Sequence, residues 1–230
     1  MRAIRGLTVA TLVLLNVGIA GAQASRGFKD SWFWGIKGGA QLYQVVDNGV
    51  AKNPIALMGG ADWLITRSTG GLYLSFDHSF VTADSVFVSD SLSPLDSVPR
   101  VVRMRGLRRF TFAGMLFPMQ TYRLHPYLGF GVTMSTISEA DPQPHPGSTS
   151  LYRNSTQQKL VEGTIETFRS TVTPLFMIGA QLRLPLASLF GQVTATPANN
   201  NFFLFSGSNW RTTLEGGLRF NAGSSIDRER

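Results

Sequence analysis

Asp77, His78 and Ser79 follow one another in the chain and supply the acid, base and nucleophile types that hydrolases combine. A catalytic base must lie within about 3.2 Å of the proton it removes. The flanking residues alternate between apolar and polar types, which predicts a β-strand, and neighbours on a strand point to opposite faces. We therefore predict that His78 and Ser79 are not a catalytic pair and that His78 lies on the outer wall.

Other chemical motifs are absent from the sequence. His125 and His145 have no partner at metal-ligand spacing, and the chain has no cysteine. It contains no phosphate-binding loop, dinucleotide fingerprint or His-Glu-x-x-His motif. The residues thus predict no metal, no cofactor and no catalytic residue, and we interpret the chain as a non-enzyme.

Charged residues recur at alternate positions of segments that are otherwise apolar. Such a pattern places the charges on one face of each strand, where they would line a narrow interior. Buried charges must pair or meet water, so we interpret them as a salt-bridge network that plugs a lumen; a conducting path is the alternative. The predicted lumen residues are Lys37, Asp62, Asp77, Arg109, Arg183, Arg211, Glu215 and Arg219.

Eight segments with period-two alternation predict the wall of an all-β fold, a closed antiparallel up-and-down transmembrane β-barrel. They span residues 32–43, 55–66, 72–80, 109–116, 127–135, 174–184, 189–195 and 210–220. Short connections alternate with long ones, as expected for short periplasmic turns and long external loops. Alternation at 85–89 and 161–167 predicts raised hairpin edges. Alternatively, residues 158–168 pair with 149–153 and make ten strands.

The first 24 residues have the order of a secretory signal peptide. Arg2 and Arg5 precede an apolar stretch at 7–20, and Ala22 and Ala24 form a small-residue cleavage site. The absence of cysteine excludes a lipoprotein anchor and disulfides. No second apolar run reaches the length of a membrane-spanning helix. The predicted organisation is a cleaved signal at 1–24, a barrel at 25–220 and a polar tail at 221–230.

Composition also restricts the partners. Without Arg2 and Arg5, 19 of the 21 basic residues remain against 14 acidic ones, and they are spread along the strands rather than gathered in a run. We expect no nucleic acid; lipopolysaccharide phosphate is the expected anionic neighbour. Trp32, Trp34, Trp63 and Trp210 are interpreted as an aromatic girdle at the membrane surface.

Residues 126–132 (Pro-Tyr-Leu-Gly-Phe-Gly-Val) and 210–220 resemble the small eight-stranded outer-membrane barrels, the OmpA/OmpX-like superfamily. The resemblance implies a monomer in the bacterial outer membrane and an assembly signal, Leu218 and Phe220, that the barrel-assembly machinery reads. The sequence departs from the family pattern, in which the barrel ends in an aromatic residue, because residues 221–230 follow Phe220. The expected role is a structural or surface-interaction barrel. Alternatives are a lipid A or phospholipid modifying enzyme, a narrow porin-like channel and, for the fold, a soluble periplasmic barrel or sandwich.

Overall fold

A computed structural model describes residues 28–43, 45–47, 50–52, 54–88, 99–119, 123–144, 151–152, 155–197 and 210–224. The predicted signal peptide and residues 225–230 of the predicted tail lie outside the described residues. The strands are β1 (Ser31–Leu42), β2 (Val45–Asp47), β3 (Val50–Lys52), β4 (Ile55–Arg67), β5 (Gly70–Val88), β6 (Pro99–Leu116), β7 (Leu124–Pro142), β8 (Ser170–Arg183), β9 (Ser188–Pro197) and β10 (Trp210–Ser224).

Eight of these strands close into one antiparallel barrel. Its order is β1-β10-β9-β8-β7-β6-β5-β4, and β1 pairs with both β4 and β10, so the described wall has no open edge at the seam. β2 and β3 form a separate hairpin between β1 and β4. The predicted eight-stranded closed barrel is therefore confirmed.

Side chains alternate between the two faces of the wall. On β7, Leu128 and Phe130 are 54% and 60% exposed on the outside, whereas Thr133 is 1% exposed on the inside. The outside is apolar and the inside largely polar, the reverse of a soluble domain and the arrangement of a membrane β-barrel. The faces read from the sequence are those observed on the eight wall strands.

The two ends of the barrel differ. β4 and β5 are joined by the short turn at Ser68 and Thr69, and β8 and β9 by residues 184–187; we call this the short-turn end. At the other end, which we call the long-loop end, three strands are extended. β5 ends at Val88, β6 begins at Pro99 and β7 ends at Pro142. Residues 85–88 of the predicted raised edge belong to this extension, and residue 89 lies outside the described residues.

A β-bulge marks where the extension begins. Ser79 pairs with Leu107 but Thr82 pairs with Arg105, so two residues of β5 lie opposite Gly106 alone. Gly106 has φ +65, a conformation that favours glycine. The bulge reverses the alternation on β6, and the buried positions change from odd numbers, such as Leu107, to even ones, such as Met104.

The strand predicted at residues 158–168 is wrong, and with it the ten-stranded alternative. These residues lie in a helix, α1 (Ser155–Phe168), which follows the β7 extension. Glutamine, lysine and leucine near its start are good helix formers, and Val161 and Ile165, four residues apart, share one face. Val161 is fully buried against the extended strands. Burial at helical spacing thus outweighed the short period-two pattern.

The last strand continues past Phe220, where the predicted barrel ends. β10 runs to Ser224, which pairs with Ser31 at the start of β1. The first residues of the predicted tail are therefore wall residues. In the part of the chain that the structure describes, no helix has the length and apolar character needed to cross a membrane.

Candidate functional site in the barrel interior

Four charged side chains from four strands meet in the middle of the barrel. Lys37 Nζ lies 2.8 Å from Asp77 Oδ1 and 2.8 Å from Glu215 Oε2. Arg109 Nη2 lies 2.9 Å from Glu215 Oε1 and 3.3 Å from Asp77 Oδ2. Each acid therefore contacts both cations, and the four residues join β1, β5, β6 and β10 across the interior.

A second ion pair lies nearer the short-turn end. The guanidinium of Arg219 donates to Asp62 Oδ2 from Nη2 at 2.8 Å and from Nε at 3.0 Å, and to Gln181 Oε1 from Nη1 at 2.8 Å. Its Cζ lies 3.8 Å from the centroid of the Phe190 ring, so one guanidinium face stacks on an aromatic ring. Arg219 and Asp62 are both fully buried.

Neutral polar side chains connect the two groups. Lys37 Nζ donates to the hydroxyl of Tyr73 at 3.1 Å, and Gln192 Nε2 donates to the same hydroxyl at 3.2 Å and to Glu215 Oε2 at 2.8 Å. The hydroxyl of Tyr127 donates to Gln192 Oε1 at 2.9 Å. Sequence reasoning did not find these residues, although Tyr73, Tyr127 and Gln192 stood on the predicted inward faces.

We call Lys37, Asp62, Asp77, Arg109, Glu215 and Arg219 the lumen network. It holds three cations and three carboxylates, none more than 7% exposed. Equal numbers of opposite charges matter because an uncompensated charge in a site of low dielectric constant is strongly unfavourable.

The other two of the eight predicted lumen residues are Arg183 and Arg211. Arg183 lies at the end of β8, half-exposed at the short-turn end, where its backbone N–H donates to the carbonyl of Arg123 at 2.8 Å. Arg211 is buried on the inward face of β10, and the Thr196 hydroxyl donates to its carbonyl at 3.5 Å. Arg183 follows Gln181, which is fully buried, on the same inward face of β8 at its short-turn end.

Glycines let the polar contacts cross from one strand to the next but one. Gly35 pairs with Arg219 on one side and with Asp62 on the other, so the Arg219–Asp62 ion pair passes over Gly35. A Cβ at Gly35 would overlap Asp62 Oδ1 and lie 2.8 Å from Arg219 Cγ. Gly179 likewise lies between Tyr127 and Gln192.

Apolar clusters lie on both sides of the lumen network. Toward the short turns, the inner cluster packs Phe28, Phe33, Leu64, Tyr73, Ala113, Met115, Phe117, Tyr127, Leu175 and Met177. Toward the long loops, the outer cluster packs Tyr43, Ala56, Val81, Val102, Met104, Leu107, Ile137 and the helix residue Val161.

The sequence-adjacent His78 and Ser79 point to opposite faces of β5. His78 is partly exposed and its ring packs edge-on against Phe80, with centroids 5.0 Å apart. Ser79 is fully buried and donates to the carbonyl of Leu57 at 3.5 Å. The two side chains therefore do not form a base and nucleophile pair. Among the described residues, no three His, Asp or Glu side chains are grouped to hold a metal ion.

The predicted girdle and assembly-signal residues all lie on the outer wall. Trp34 pairs with Trp63 near the short-turn end, Trp32 precedes them on β1, and Trp210 begins β10 at the long-loop end. Phe220 packs on Trp34, with ring centroids 5.2 Å apart, and Leu218 is two residues before it on the same face. Their roles as girdle and signal stay predictions.

Fold and interior together define a small closed eight-stranded β-barrel with an apolar outer face and buried charged side chains inside. No protein-family model and no curated protein matches the sequence. Solved structures with a similar fold include Ail, the attachment invasion locus protein of Yersinia pestis (9% identity over 83% of this chain and 99% of that chain, TM-score 0.41). Neisserial surface protein A is similar at 8% identity (82% and 96% covered, TM-score 0.46). A major outer membrane protein from Thermus thermophilus has 9% identity (82% and 98% covered, TM-score 0.38).

Replacement of Gly35 by alanine tests the crossing point. Because a Cβ there overlaps the Arg219–Asp62 ion pair, we expect Gly35→Ala to lower the free energy of unfolding by about 2–4 kcal/mol. Gly38 is the matched control: it lies on the outer face of the same strand, where a Cβ meets only the Met58 carbonyl at 3.5 Å. Gly38→Ala should change the free energy of unfolding by less than about 0.5 kcal/mol. Urea titrations measure both variants, and equal losses of stability would contradict the passage of the Arg219–Asp62 ion pair over Gly35.

Removal of Glu215 tests the charge balance. Glu215→Ala leaves Lys37 and Arg109 with one acid between them, and we expect a loss of about 3–5 kcal/mol in detergent micelles. Lys37→Ala with Glu215→Ala keeps the remaining charges balanced, so the double variant should lose less than the sum of the single variants by about 1–3 kcal/mol.

The control for this cycle is Glu139→Ala, because Glu139 is exposed and lies 4.0 Å from Arg105. Its effect should stay below about 1 kcal/mol. The idea that Glu215 neutralises Lys37 and Arg109 would be contradicted by either of two results. One is that the losses of the two single variants add up to the loss of the double variant, and the other is that Glu215→Ala has the same urea midpoint as the unchanged protein.

Proposed function

We propose that this chain is a bacterial outer-membrane barrel that does not conduct and does not catalyse, and that presents its long-loop end as a surface for interaction with other molecules. The side chains that point into the interior are the observation that supports the proposal. The lumen network lies between two apolar clusters, and these three layers together reach from the short-turn end to α1. An interior of about eight strands is only wide enough for side chains to fill it.

The long-loop end supports the surface role. The extensions of β5, β6 and β7 turn a charged face outward, where Arg103 binds Asp84 through Nε at 2.9 Å and Nη2 at 3.1 Å. Their inward face packs on Val161 of α1. Arg169, directly after the helix, donates to the carbonyls of Ile137 and Ser138 at 3.2 Å and 3.1 Å. The helix and the three strands thus form one continuous platform above the wall.

Partners follow from the same layout. Arg105 and Arg108 are exposed on the outside of β6 next to the bulge, where lipopolysaccharide phosphates are their expected neighbours. Leu218 and Phe220 are the expected contact of the barrel-assembly machinery. Closure of the wall leaves no strand edge at the seam for another copy, in keeping with a monomer. Nucleic acid has no part in this proposal.

Planar-bilayer recording tests the filled interior. The protein as it exists should add no stepwise current to the bilayer, because the lumen network and both apolar clusters exclude water. Phe130→Ala, which changes only the lipid-facing wall, serves as the control for insertion and should also be silent. Resolved current steps from the unchanged protein would contradict the proposal.

Surface labelling tests the orientation, and the absence of native cysteines makes it direct. Glu162 is exposed on α1 and Thr69 is exposed in a short turn. In intact cells a membrane-impermeant maleimide should label Glu162→Cys but not Thr69→Cys, which should react only after the outer membrane is opened. Labelling of Thr69→Cys alone in intact cells would show that the barrel has the opposite orientation in the membrane. Equal labelling of both variants in intact cells would show that the protein is not embedded in the membrane.

Lipid A mass spectra test the absence of catalysis. His78 and Ser79 lie on opposite faces of one strand, so expression in a host with unmodified lipid A should leave its acyl chains unchanged. A lost acyl chain that returns with both His78→Ala and Ser79→Ala would replace the structural role by an enzymatic one.

A further inference from the structure

One side of the interior, next to the lumen network, is lined by hydroxyl groups. We call these side chains the hydroxyl layer; all are buried and point inward from β6 to β10. They are Thr111, Thr133, Ser135, Thr171, Thr173, Thr194, Thr196 and Thr213. Serine and threonine are short, so they fill less of a narrow interior than the long side chains of the lumen network.

Two hydroxyls of this layer are left without a hydrogen bond. The hydroxyl of Thr213 donates to Glu215 Oε1 at 2.9 Å. Ser135 Oγ and Thr173 Oγ1, by contrast, are buried and have no hydrogen-bond partner among the described residues. The same holds for Nε of Arg109, which pairs with Ser135 across the β6–β7 register. Three polar groups on three adjacent strands thus lack a described partner, which is unfavourable in a buried site.

Positive charges outnumber negative ones in the part of the interior that the structure describes. The lumen network pairs three cations with three carboxylates, and Arg211 adds a fourth buried cation on the inward face of β10. Arg109 lies close enough to Arg211 to repel it. A net positive charge in a poorly hydrated site is unfavourable unless an anion lies near it.

Glu215, on the same strand, has no acceptor capacity left for this additional cation. Its Oε1 accepts from Arg109 Nη2 and from the Thr213 hydroxyl, both at 2.9 Å. Its Oε2 accepts from Lys37 Nζ and from Gln192 Nε2, both at 2.8 Å. Four donors use the lone pairs of both oxygens. The charge must therefore be met by a group other than this carboxylate.

The register brings Arg211 to the height of the two hydroxyls without partners. A line of paired residues that leaves β7 at Tyr127 passes once around the barrel and returns to β7 at Ile137, ten residues (137 − 127) nearer the long-loop end. Each step between strands therefore climbs by about 1.25 residues. With this climb, Ser135, Thr173 and Arg211 lie within about 3 Å of the same height. They face one region between the lumen network and the outer cluster.

We propose that this region holds one small inorganic anion of the size of chloride, bound by the hydroxyls of Ser135 and Thr173 and by the guanidinium groups of Arg109 and Arg211. Each of these groups can donate a hydrogen bond, and the anion offsets the additional positive charge. Water alone would satisfy the hydroxyls but not the charge. The wall encloses the site, so the anion is taken up as the barrel folds and stabilises it, and the site does not depend on the surface role.

Urea unfolding of the refolded full chain in neutral detergent tests the proposal. The two salts are sodium chloride and sodium gluconate at equal concentration, because gluconate is too large for a site among short side chains. A ligand of the folded state stabilises it more as its concentration rises. We expect the urea midpoint to rise with chloride and not with gluconate. Equal midpoints in both salts would show that water alone occupies the hydroxyl layer and would overturn the proposal.

Two variants separate the charge from the hydroxyl groups. Arg211→Gln leaves three buried cations and three carboxylates, so the midpoint should no longer depend on chloride. Ser135→Ala with Thr173→Val keeps the charge but removes two donors, and the chloride concentration for half of the effect should rise about tenfold. Heat-modifiable migration on detergent gels checks that each variant folds. A chloride effect that persists in Arg211→Gln, or that is unchanged in the double variant, would overturn the proposal.

Two controls accompany these variants. Thr111→Val removes a hydroxyl that donates to Thr133 at 3.2 Å and should keep the chloride effect of the unchanged protein. Arg105→Gln removes an exposed cation, which either salt screens equally, and should also keep it. Loss of the chloride effect in either control would show that it does not arise at the proposed site and would overturn the proposal.

Crystals of the unchanged protein grown with bromide locate the anion directly. We expect an anomalous scattering peak within hydrogen-bond distance of the Ser135 and Thr173 hydroxyls. Peaks confined to the protein surface would indicate an adventitious ion only and would overturn the proposal. Current steps in a planar bilayer would instead refute the proposed function, so the two failures are distinguishable.

Discussion

Pairing of the charges that the wall turns inward is the constraint on which this barrel depends. Eight strands enclose a space about as wide as the side chains that point into it. A charge in that space is poorly hydrated, so a neighbouring group of opposite charge lowers its energetic cost. In the lumen network three cations meet three carboxylates, and Arg211, a further buried cation on the inward face of β10, lies outside it. The interior is therefore polar, yet it is packed as a core would be.

The same network links the sealing of the interior to closure of the wall. Glu215 is on the last strand and Lys37 on the first, and these two strands pair only when the barrel closes. Asp77 on β5 and Arg109 on β6 complete the group. Contacts over such long separations in sequence are lost together if the wall opens. The Lys37–Glu215 ion pair therefore depends on the same β1–β10 pairing that closes the wall.

Period-two alternation predicted most of this fold because lipid and interior impose opposite demands on neighbouring residues. It predicted eight strands and the correct face for Phe130 and Thr133, since a strand slipped by one residue would put polar groups in lipid. It failed for residues 158–168, where a few alternating residues lie outside the wall and packing of Val161 decided for a helix. A long connection that the membrane does not constrain carries no comparable signal.

The pairing inside the barrel could not be predicted, and the reason is geometric. Alternation shows that Arg219 and Asp62 face inward, but they are 157 residues apart, and only the register of β1 with both neighbours brings them together. The glycine between them was visible in the sequence as an inward position without a side chain. Its meaning depends on knowing which residues flank it.

Interior and exterior also differ in how freely they can vary. An inward residue is held by charge balance and by contacts that cross the barrel, so each change there disturbs several strands. An outward residue meets only lipid and its neighbours on the wall, so size can vary locally, as with Gly114 beside Phe130. The surface role proposed above accordingly rests on the platform of α1 and the extended strands, which is built apart from the lumen network.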